Sequence, residues 1–254
     1  MARTIVITGA GSGIGRATAE RMTAVGHTVI GVDLRNAEIE ADLSTQAGRV
    51  RMIKEVTHRS PGAIDGVVAA AGLLAADPPN KVLAVNYFGA VATFEGLRPL
   101  LSRSERPRAV AICSTAAFLN PTESVVNACL EGGEELALRL SGLWPATPYI
   151  DSKRALSLWL RRTAISQYWG GRGILLNGVS PGIIHTNMTM SALKNRTTAK
   201  VMEKHNPQVV DGYGAPEEIA EIVDFLLGFQ NHFMLGQIIY ADGGAEALFR
   251  TNTY

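Results

Sequence analysis

The sequence predicts an α/β fold: a doubly wound, mostly parallel sheet of six to seven strands with helices on both faces. Short runs of β-branched and apolar residues alternate with longer segments of helical periodicity, which is the pattern of repeated strand–helix units. The first run, from Thr4 to Thr8, is continuously β-branched, as is typical of a strand buried on both faces. The length of 254 residues, without a repeat or a linker-like stretch, favours a single domain over residues 1–254.

Composition and charge argue against several classes of protein. The net charge of +1 opposes a broad surface for nucleic acid or for an anionic membrane. Cys113 and Cys129 have neither the number nor the spacing of a disulfide framework or a metal cluster, so we expect a reducing compartment and no metal. The first strand-like run begins directly after Arg3, and the longest apolar stretch, residues 66–76, is too short for a bilayer span. We therefore expect a cytoplasmic protein with no membrane segment.

A glycine-rich turn separates the first predicted strand from the first predicted helix. In this context backbone N–H groups and the helix N-terminus can hold a pyrophosphate, and the glycines allow the backbone to approach it closely. Such a turn alone is weak evidence, and the strand before it and the helix after it strengthen the prediction. We expect cofactor contacts from five residues of this turn: Gly9, Ser12, Gly13, Ile14 and Gly15.

Asp33, which ends the second predicted strand, indicates the kind of dinucleotide. A carboxylate there can accept hydrogen bonds from both hydroxyls of an adenosine ribose and repels a 2′-phosphate, which favours NAD (NADH) over NADP. The alternative is an ordinary turn-forming Asp, and Arg35 leaves the strictness of the preference open. Asp42 and Leu43 resemble the end of a third strand, but they follow Asp33 too closely for the usual crossover helix. We expect an irregular excursion or a stub of edge strand there, with Asp42 and Leu43 covering the adenine.

The stretch from Tyr149 to Lys153 predicts acid–base chemistry. Residues i and i+4 share a helix face, and a nearby cation favours a phenolate, so this pair can exchange a proton with an alcohol or carbonyl oxygen. A chance pair on an ordinary helix turn is the alternative. Ser114 stands at the end of a predicted strand, where side chains face a ligand crevice unless they cap a helix. Asn86 lies among apolar residues and is either a satisfied core amide or a functional one.

Two segments stand outside the regular alternation of strands and helices. Residues 119–147 contain a helical stretch interrupted by Gly132 and Gly133 and closed by a Pro-rich turn, which predicts an inserted helical hairpin before the Tyr149 helix. Residues 187–214 carry four apolar side chains in a polar background: Met188, Met190, Leu193 and Met202. Adaptable methionines at the ligand edge of the sheet suit a substrate-binding lid over a bulky apolar molecule, and a helix packed on the core is the alternative.

Several motifs occur in an order that spans the chain. They are Thr8-Gly-x-x-x-Gly13-x-Gly15, Asn86, Ser114, Tyr149-x-x-x-Lys153, Pro181-Gly-x-x-x-Thr186 and Asp242-Gly-Gly. Together they resemble the short-chain dehydrogenase/reductase family, which implies a Rossmann-type fold with NAD(H) across the carboxyl edge of the sheet. The resemblance implies that Tyr149 exchanges the proton and that Ser114 orients the substrate oxygen. It further implies that Lys153 holds the nicotinamide ribose and lowers the pKa of the phenol, and that Asn86 positions a relay water.

The same resemblance implies further cofactor contacts. Thr186 and the backbone at Ile184 are implied to hold the carboxamide end of the nicotinamide, in the segment that begins with Pro181 and Gly182. The family's Asn-Asn-Ala-Gly motif is Ala69-Ala70-Ala71-Gly72 here, so its two Asn side chains have no counterpart. Only backbone contacts on the adenosine side are carried over, from Ala70, Ala71 and Gly72.

Two departures narrow the resemblance to a subgroup. The short connection after Asp33 and the insertion containing Leu130-Glu-Gly-Gly-Glu-Glu135 resemble the bacterial 3α-hydroxysteroid dehydrogenase/carbonyl reductase subgroup. This implies a small apolar alcohol or ketone as substrate, with NAD-linked oxidation of a 3α-hydroxysteroid and reduction of other carbonyls. One alternative is a 3-oxoacyl-thioester or other small-carbonyl reductase, which Asp33 and the near-neutral charge oppose. The other is a non-catalytic dinucleotide sensor, which the complete set of reactive residues opposes.

The insertion also bears on assembly. Members of the family often pair through the long helices that carry the equivalents of Asn86 and Tyr149. Because residues 119–147 lie beside the Tyr149 helix, we expect them to obstruct that pairing. The expected assembly is a homodimer formed through the final strand and the helix that starts at Pro216.

Overall fold

The computed structural model describes residues 2–74 and 76–252, which contain one parallel sheet of seven strands in the order β3-β2-β1-β4-β5-β6-β7. The strands are β1 (Thr4–Thr8), β2 (Thr28–Asp33), β3 (Ile39–Glu40), β4 (Gly66–Ala69), β5 (Arg108–Ile112), β6 (Leu175–Pro181) and β7 (Ile238–Ala241). The prediction of a doubly wound sheet with six to seven strands is confirmed.

Helices lie on both faces of the sheet. They are α1 (Gly13–Ala24), α2 (Gln46–Arg59), α3 (Pro79–Leu83), α4 (Ala90–Leu101), α5 (Glu123–Leu130), α6 (Glu134–Leu143), α7 (Pro148–Ala164), α8 (Asn187–Leu193), α9 (Arg196–His205), α10 (Pro216–Leu227) and α11 (Ala245–Phe249). Successive side chains of a strand point to opposite faces, so Ile5 and Ile7 of β1 pack in the layer with α1 and α10. Val6 packs in the other layer, with α2, α4 and α7. Within the described residues, no helix combines the length and the apolar character that a membrane crossing requires.

The order of the strands reverses beside β1, which has β2 on one side and β4 on the other. In a doubly wound sheet such a switch point opens a crevice at the carboxyl ends of the strands. β1 leads directly into the glycine-rich turn. The sequence pattern predicts a helix from Arg16 to Val25, and α1 starts earlier, at Gly13. The last glycines of the turn therefore form the first turn of the helix, at the mouth of the crevice.

The connection between β2 and β3 is short, as the spacing of Asp33 and Asp42 predicts. β3 is a two-residue edge strand that pairs with Val32 and Asp33, and residues 34–38 between the strands hold no helix. Asn36 adopts a left-handed φ of 57°, which lets the chain reverse within this connection. The strand ends at Glu40, so Asp42 lies beyond it in an irregular segment.

The sequence pattern predicts one long helix from Asn80 to about Ser102, and in the structure a π-helical segment divides it. The segment, Ala84–Gly89, joins α3 to α4 and contains Asn86. π-helical turns are rare and often accompany functional sites. The periodicity of the sequence predicts the helix but does not reveal the wider turn within it.

The predicted helical insertion before α7 is present as α5 and α6. A turn with Gly132 at a φ of 77° separates the two helices. Both ends of the insertion meet at the buried carboxylate of Asp151, on α7. The Thr122 backbone N–H donates to Oδ1 at 2.7 Å, and the Thr147 hydroxyl donates to Oδ2 at 2.8 Å. Asp151 thereby ties the insertion to the helix that carries the predicted acid–base pair.

The segment predicted as a lid, residues 187–214, contains α8 and α9. None of the residues of α8 is buried, so this helix does not pack into the core. The base of the segment is closed by a parallel bridge between Ile184 and Gly214, where the His185 N–H donates to the Gly214 carbonyl at 2.7 Å. The segment is therefore an excursion with joined ends at the carboxyl edge of the sheet.

Candidate active site

A groove at the carboxyl edge of the sheet encloses a cavity of about 520 Å³. All of the predicted cofactor-binding residues, from Gly9 to Thr186, line this cavity, and so does Ser114. Asn86 is the one predicted site residue that does not, although its neighbour Val85 does. The structure thus brings together residues from the glycine turn and from the ends of β2, β4, β5 and β6.

The glycine-rich turn is shaped so that only a backbone without side chains fits it. A Cβ on Gly15 would lie 2.2 Å from the carbonyl oxygen of Gly9, and one on Gly9 would lie 2.7 Å from the backbone nitrogen of Ala71. Real Cβ atoms do not approach that closely, so the turn and the β4 end are in direct backbone contact. This leaves the N-terminus of α1 open to the cavity, where it can hold an anionic group.

The carboxylate of Asp33 is held in place at the β2 end of the cavity. Its Oδ2 accepts from the Gly11 N–H at 2.9 Å, and its Oδ1 accepts from the Leu34 N–H at 2.6 Å. These bonds join the side chain to the glycine turn and fix its direction before any ligand binds. A fixed carboxylate at this position suits the two hydroxyls of an unphosphorylated ribose.

Tyr149, Ser114 and Lys153 meet at the opposite end of the cavity. The Tyr149 hydroxyl donates to Ser114 Oγ at 3.4 Å, and Ser114 Oγ also accepts from the Ala116 N–H at 3.2 Å. The Lys153 ammonium donates to the carbonyl of Ile112 at 2.8 Å and lies 5.9 Å from the centre of the Tyr149 ring. Tyr149 and Lys153 both come from α7 and line the cavity, and Ser114 follows the end of β5.

Burial dominates the acid–base properties of this group. Burial raises the pKa of the Tyr149 phenol above its usual value, and the hydrogen bond with Ser114 lowers it in part. Burial also lowers the pKa of Lys153, from 10.5 to about 8. The ammonium of Lys153 is directed to the Ile112 carbonyl rather than to the phenol oxygen. That Lys153 lowers the pKa of the phenol stays a prediction.

Asn86 lies behind the cavity wall and uses its amide for protein contacts. Its Oδ1 accepts from the Leu73 N–H at 2.8 Å, and its Nδ2 donates to the Leu73 carbonyl at 3.0 Å and to Ser152 Oγ at 3.3 Å. The side chain is almost fully buried. Of the two readings of the sequence, this geometry supports a satisfied amide that joins the loop after β4 to α7. A role in a proton relay remains a prediction.

Other residues of the site were not singled out from the sequence. Leu73 and Leu74 line the cavity directly after Gly72, and the apolar pair following the strand end is the signal that could have found them. Met188, which the sequence does indicate as part of the predicted lid, lines the same cavity. Asp151, which is buried beside the reactive pair, carries no local signal because its partners lie in the insertion.

Comparison with known proteins decides the family. The model described as short chain dehydrogenase matches residues 3–128, and the model described as Enoyl-(Acyl carrier protein) reductase matches residues 139–246. The 3-alpha-hydroxysteroid dehydrogenase/carbonyl reductase of Comamonas testosteroni is 34% identical over 98% of this chain and 99% of its own. The chain belongs to the short-chain dehydrogenase/reductase family.

A solved structure and a further sequence relative are similar to this short-chain dehydrogenase over nearly its whole length. The 3-alpha-hydroxysteroid dehydrogenase from Pseudomonas sp. B-0831, solved in complex with NADH, superposes with a TM-score of 0.94 at 38% identity and covers 99% of this chain and 100% of its own. The meso-2,3-butanediol dehydrogenase of Serratia marcescens is 28% identical over 96% of this chain and 95% of its own. The resemblance found in the sequence is confirmed, and the predicted cofactor agrees with the NADH complex.

Proposed function

We propose that this oxidoreductase uses NAD(H) to interconvert a secondary alcohol and a ketone, acting on the 3α-hydroxyl or 3-oxo group of steroids and reducing other carbonyl compounds. The observation that carries the proposal is the contact of the Tyr149 hydroxyl with Ser114 Oγ at 3.4 Å, beside Lys153, in the cavity that Asp33 also lines. A proton donor thus lines the same cavity as the glycine-rich turn and Asp33. The names of the relatives support a steroid as the substrate, and the geometry supports proton exchange with the substrate oxygen.

The residues that line the cavity fit NAD(H). The backbone contact at Gly15 leaves room for a pyrophosphate at the start of α1, and the fixed carboxylate of Asp33 suits the adenosine ribose. We expect Lys153, Ile184 and Thr186 to hold the nicotinamide half, since all three line the cavity. When bound, the nicotinamide supplies or accepts the hydride.

The residues of this chain supply the proton transfer and the orientation. In the direction of reduction, Tyr149 donates its phenol proton to the carbonyl oxygen, and Ser114 Oγ hydrogen-bonds the same oxygen to hold it in place. In the direction of oxidation, the phenolate accepts the proton of the alcohol. A charged Lys153 nearby favours that phenolate, so its ionisation matters for the rate.

An apolar wall favours a bulky apolar substrate. Leu73, Leu74 and Met188 line the cavity, and Met188 belongs to α8, a helix with no buried residue. We propose residues 187–214 as a substrate-binding lid, because an excursion that is joined at its base can move without disturbing the sheet. The flat hydrocarbon surface of a steroid suits contacts of this kind.

A turnover screen tests the proposed function. We expect oxidation of 3α-hydroxysteroids with NAD, and kcat/KM lower by about tenfold or more with NADP because Asp33 repels the 2′-phosphate. Matched 3β-hydroxysteroids serve as the stereochemical control, and a 3-oxoacyl thioester with NADPH represents the alternative reductase. Turnover of the thioester without turnover of any steroid would contradict the proposed substrate and keep the reaction class.

We further propose a homodimer formed through β7 and α10. In the described part of the chain β7 has a strand partner on one side only, and α10 exposes Phe225. The replacement Phe225→Asp is expected to convert dimers into monomers in light scattering coupled to size exclusion. The control is Leu143→Asp, at the exposed end of the insertion, which is expected to remain dimeric. Dissociation by Leu143→Asp alone, or a tetramer packed on the α4 and α7 helices, would overturn this assembly.

A further inference from the structure

Arg49 is a buried cation outside the reactive group of the site. It lies on α2, and its side chain is only 7% exposed. A guanidinium has five N–H donors and loses much hydration when buried, so its partners must lie in the protein. Its Nε donates to the Leu43 carbonyl at 2.8 Å, and its Nη2 donates to the Ala84 carbonyl at 3.2 Å. Arg49 therefore holds two separate stretches of backbone.

Glu134, the first residue of the insertion helix α6, supplies the opposite charge. Its Oε2 accepts from Arg49 Nη1 at 2.8 Å, and its Oε1 accepts from Arg49 Nη2 at 2.7 Å. Two parallel bonds of this kind fix the plane of the guanidinium as well as its position. The first turn of a helix also favours a carboxylate. Through Glu134, the insertion thus orients the side chain of Arg49 on α2.

The two stretches that Arg49 holds are parts of the cofactor groove. Leu43 lines the cavity together with Asp42, and Ala84 begins the π-helical segment, whose next residue, Val85, lines the cavity. The Asp42–Leu43 segment is tightly enclosed, because a Cβ on Gly48 would lie 2.0 Å from the Asp42 carbonyl oxygen. The position of the Asp42–Leu43 segment therefore depends on the residues packed against it.

The Asp42–Leu43 segment forms one wall of the groove, and the sheet gives this wall little support. The edge strand before it, Ile39–Glu40, has two residues, and no helix backs the connection at 34–38. Elsewhere in the sheet, strands of four to seven residues fix the ends that face the groove. Here the bond from Arg49 to the Leu43 carbonyl takes over that function, and Glu134 determines where Arg49 points.

We propose that Arg49 and Glu134 are positioning residues through which the insertion holds the Asp42–Leu43 wall in the conformation that binds the adenosine half of NAD(H). The inference rests on the proposed placement of the adenine against this wall, and it does not depend on the identity of the substrate. Neither residue touches the reacting atoms, which lie at the Tyr149 end of the groove. Loss of the pair should weaken cofactor binding and leave the chemical step unchanged.

The variant Glu134→Gln tests this. Fluorescence titration with NADH is expected to show a Kd raised about fivefold to tenfold, with kcat at saturating NAD within about twofold of the wild type. The control is Glu135→Gln, since Glu135 is the exposed neighbour of the same charge and its side chain has no hydrogen bond or ion pair among the described residues. A Kd unchanged from the control, or a fall in kcat as large as the rise in Kd, would overturn the proposal.

Two further variants separate positioning from folding. Glu134→Asp keeps the charge on a shorter side chain and is expected to give a Kd between those of the wild type and Glu134→Gln. Arg49→Lys keeps the charge but loses the paired bonds, so its Kd should rise at least as far as that of Glu134→Gln. Thermal melts accompany each titration, and a Kd that follows the melting temperature rather than the order of these variants would refute positioning. Because NADH binding needs no substrate, a wild type that binds NADH but oxidises no steroid would refute the proposed function alone.

Discussion

The variant Tyr149→Phe is expected to lower kcat by about 10³-fold, or about 4 kcal/mol in activation free energy, because the proton that the phenol exchanges has no other source at that position. NADH binding should stay within about twofold of the wild type, since the change removes one oxygen from a ring that keeps its packing. Stopped-flow measurement of hydride transfer, together with NADH titration, separates the two quantities.

The matched control for this change is Tyr168→Phe, which removes the hydroxyl of an exposed tyrosine beyond the end of α7. It should have full activity. The pH profile adds a second criterion: in the wild type, oxidation should accelerate as pH rises and reduction should slow, because the phenolate accepts the proton in one direction and the phenol donates it in the other. Undiminished turnover by Tyr149→Phe would refute the mechanism.

The variant Lys153→Met is expected to be inactive and yet more stable than the wild type in the absence of cofactor. Burial lowers the pKa of Lys153 from 10.5 to about 8, which means that the folded protein disfavours the charge. A shift of this size corresponds to about 3 kcal/mol of destabilisation, reduced to about 2 kcal/mol by the lost bond to Ile112. For a chain of this length, that gain corresponds to a melting temperature higher by about 5 °C.

The pH dependence of stability shows whether Lys153→Met is stabilised by removal of a buried charge or by better packing of the methionine. Below pH 8 the lysine is charged in both states, so the folded protein bears the full destabilisation. Between pH 8 and pH 10.5 the folded form loses its proton first, and the destabilisation declines. The stability gap between Lys153→Met and the wild type should therefore be constant at low pH and narrow from pH 8 to pH 9.5. Lys54→Met, at an exposed position on α2, should show no such trend. A variant less stable than the wild type at pH 7 would contradict the argument.

Much of the site could be predicted because its determinants are local. The alternation of strands and helices places the glycine turn, Asp33 and Ser114 at strand ends, and strand ends share one edge of a parallel sheet. The spacing of Tyr149 and Lys153 puts both on one face of α7 without further information. The lack of a crossover helix after β2 follows in the same way from the short distance between Asp33 and Asp42.

Other features could not be predicted because they depend on residues that are far apart in the chain. Arg49 and Glu134 are ordinary charged residues on two helices, and only the folded chain shows that they are paired. The direction of the pKa shift of Tyr149 depends on how completely the ring is buried and on which acceptor the ammonium of Lys153 hydrogen-bonds. The π-helical segment at Asn86 changes the register within a helix that has normal apolar spacing.

The insertion closes on itself, which makes it an exchangeable module. The hydroxyl oxygens of Thr122 and Thr147 lie 2.8 Å apart, and both residues bind Asp151. A segment whose ends adjoin can be lengthened, shortened or replaced without moving the chain on either side, and the entropy of closing it grows slowly with its length. Evolution could therefore reshape the surroundings of this active site through one segment while Tyr149 kept its position. The same junction offers protein engineers a place to graft a different segment.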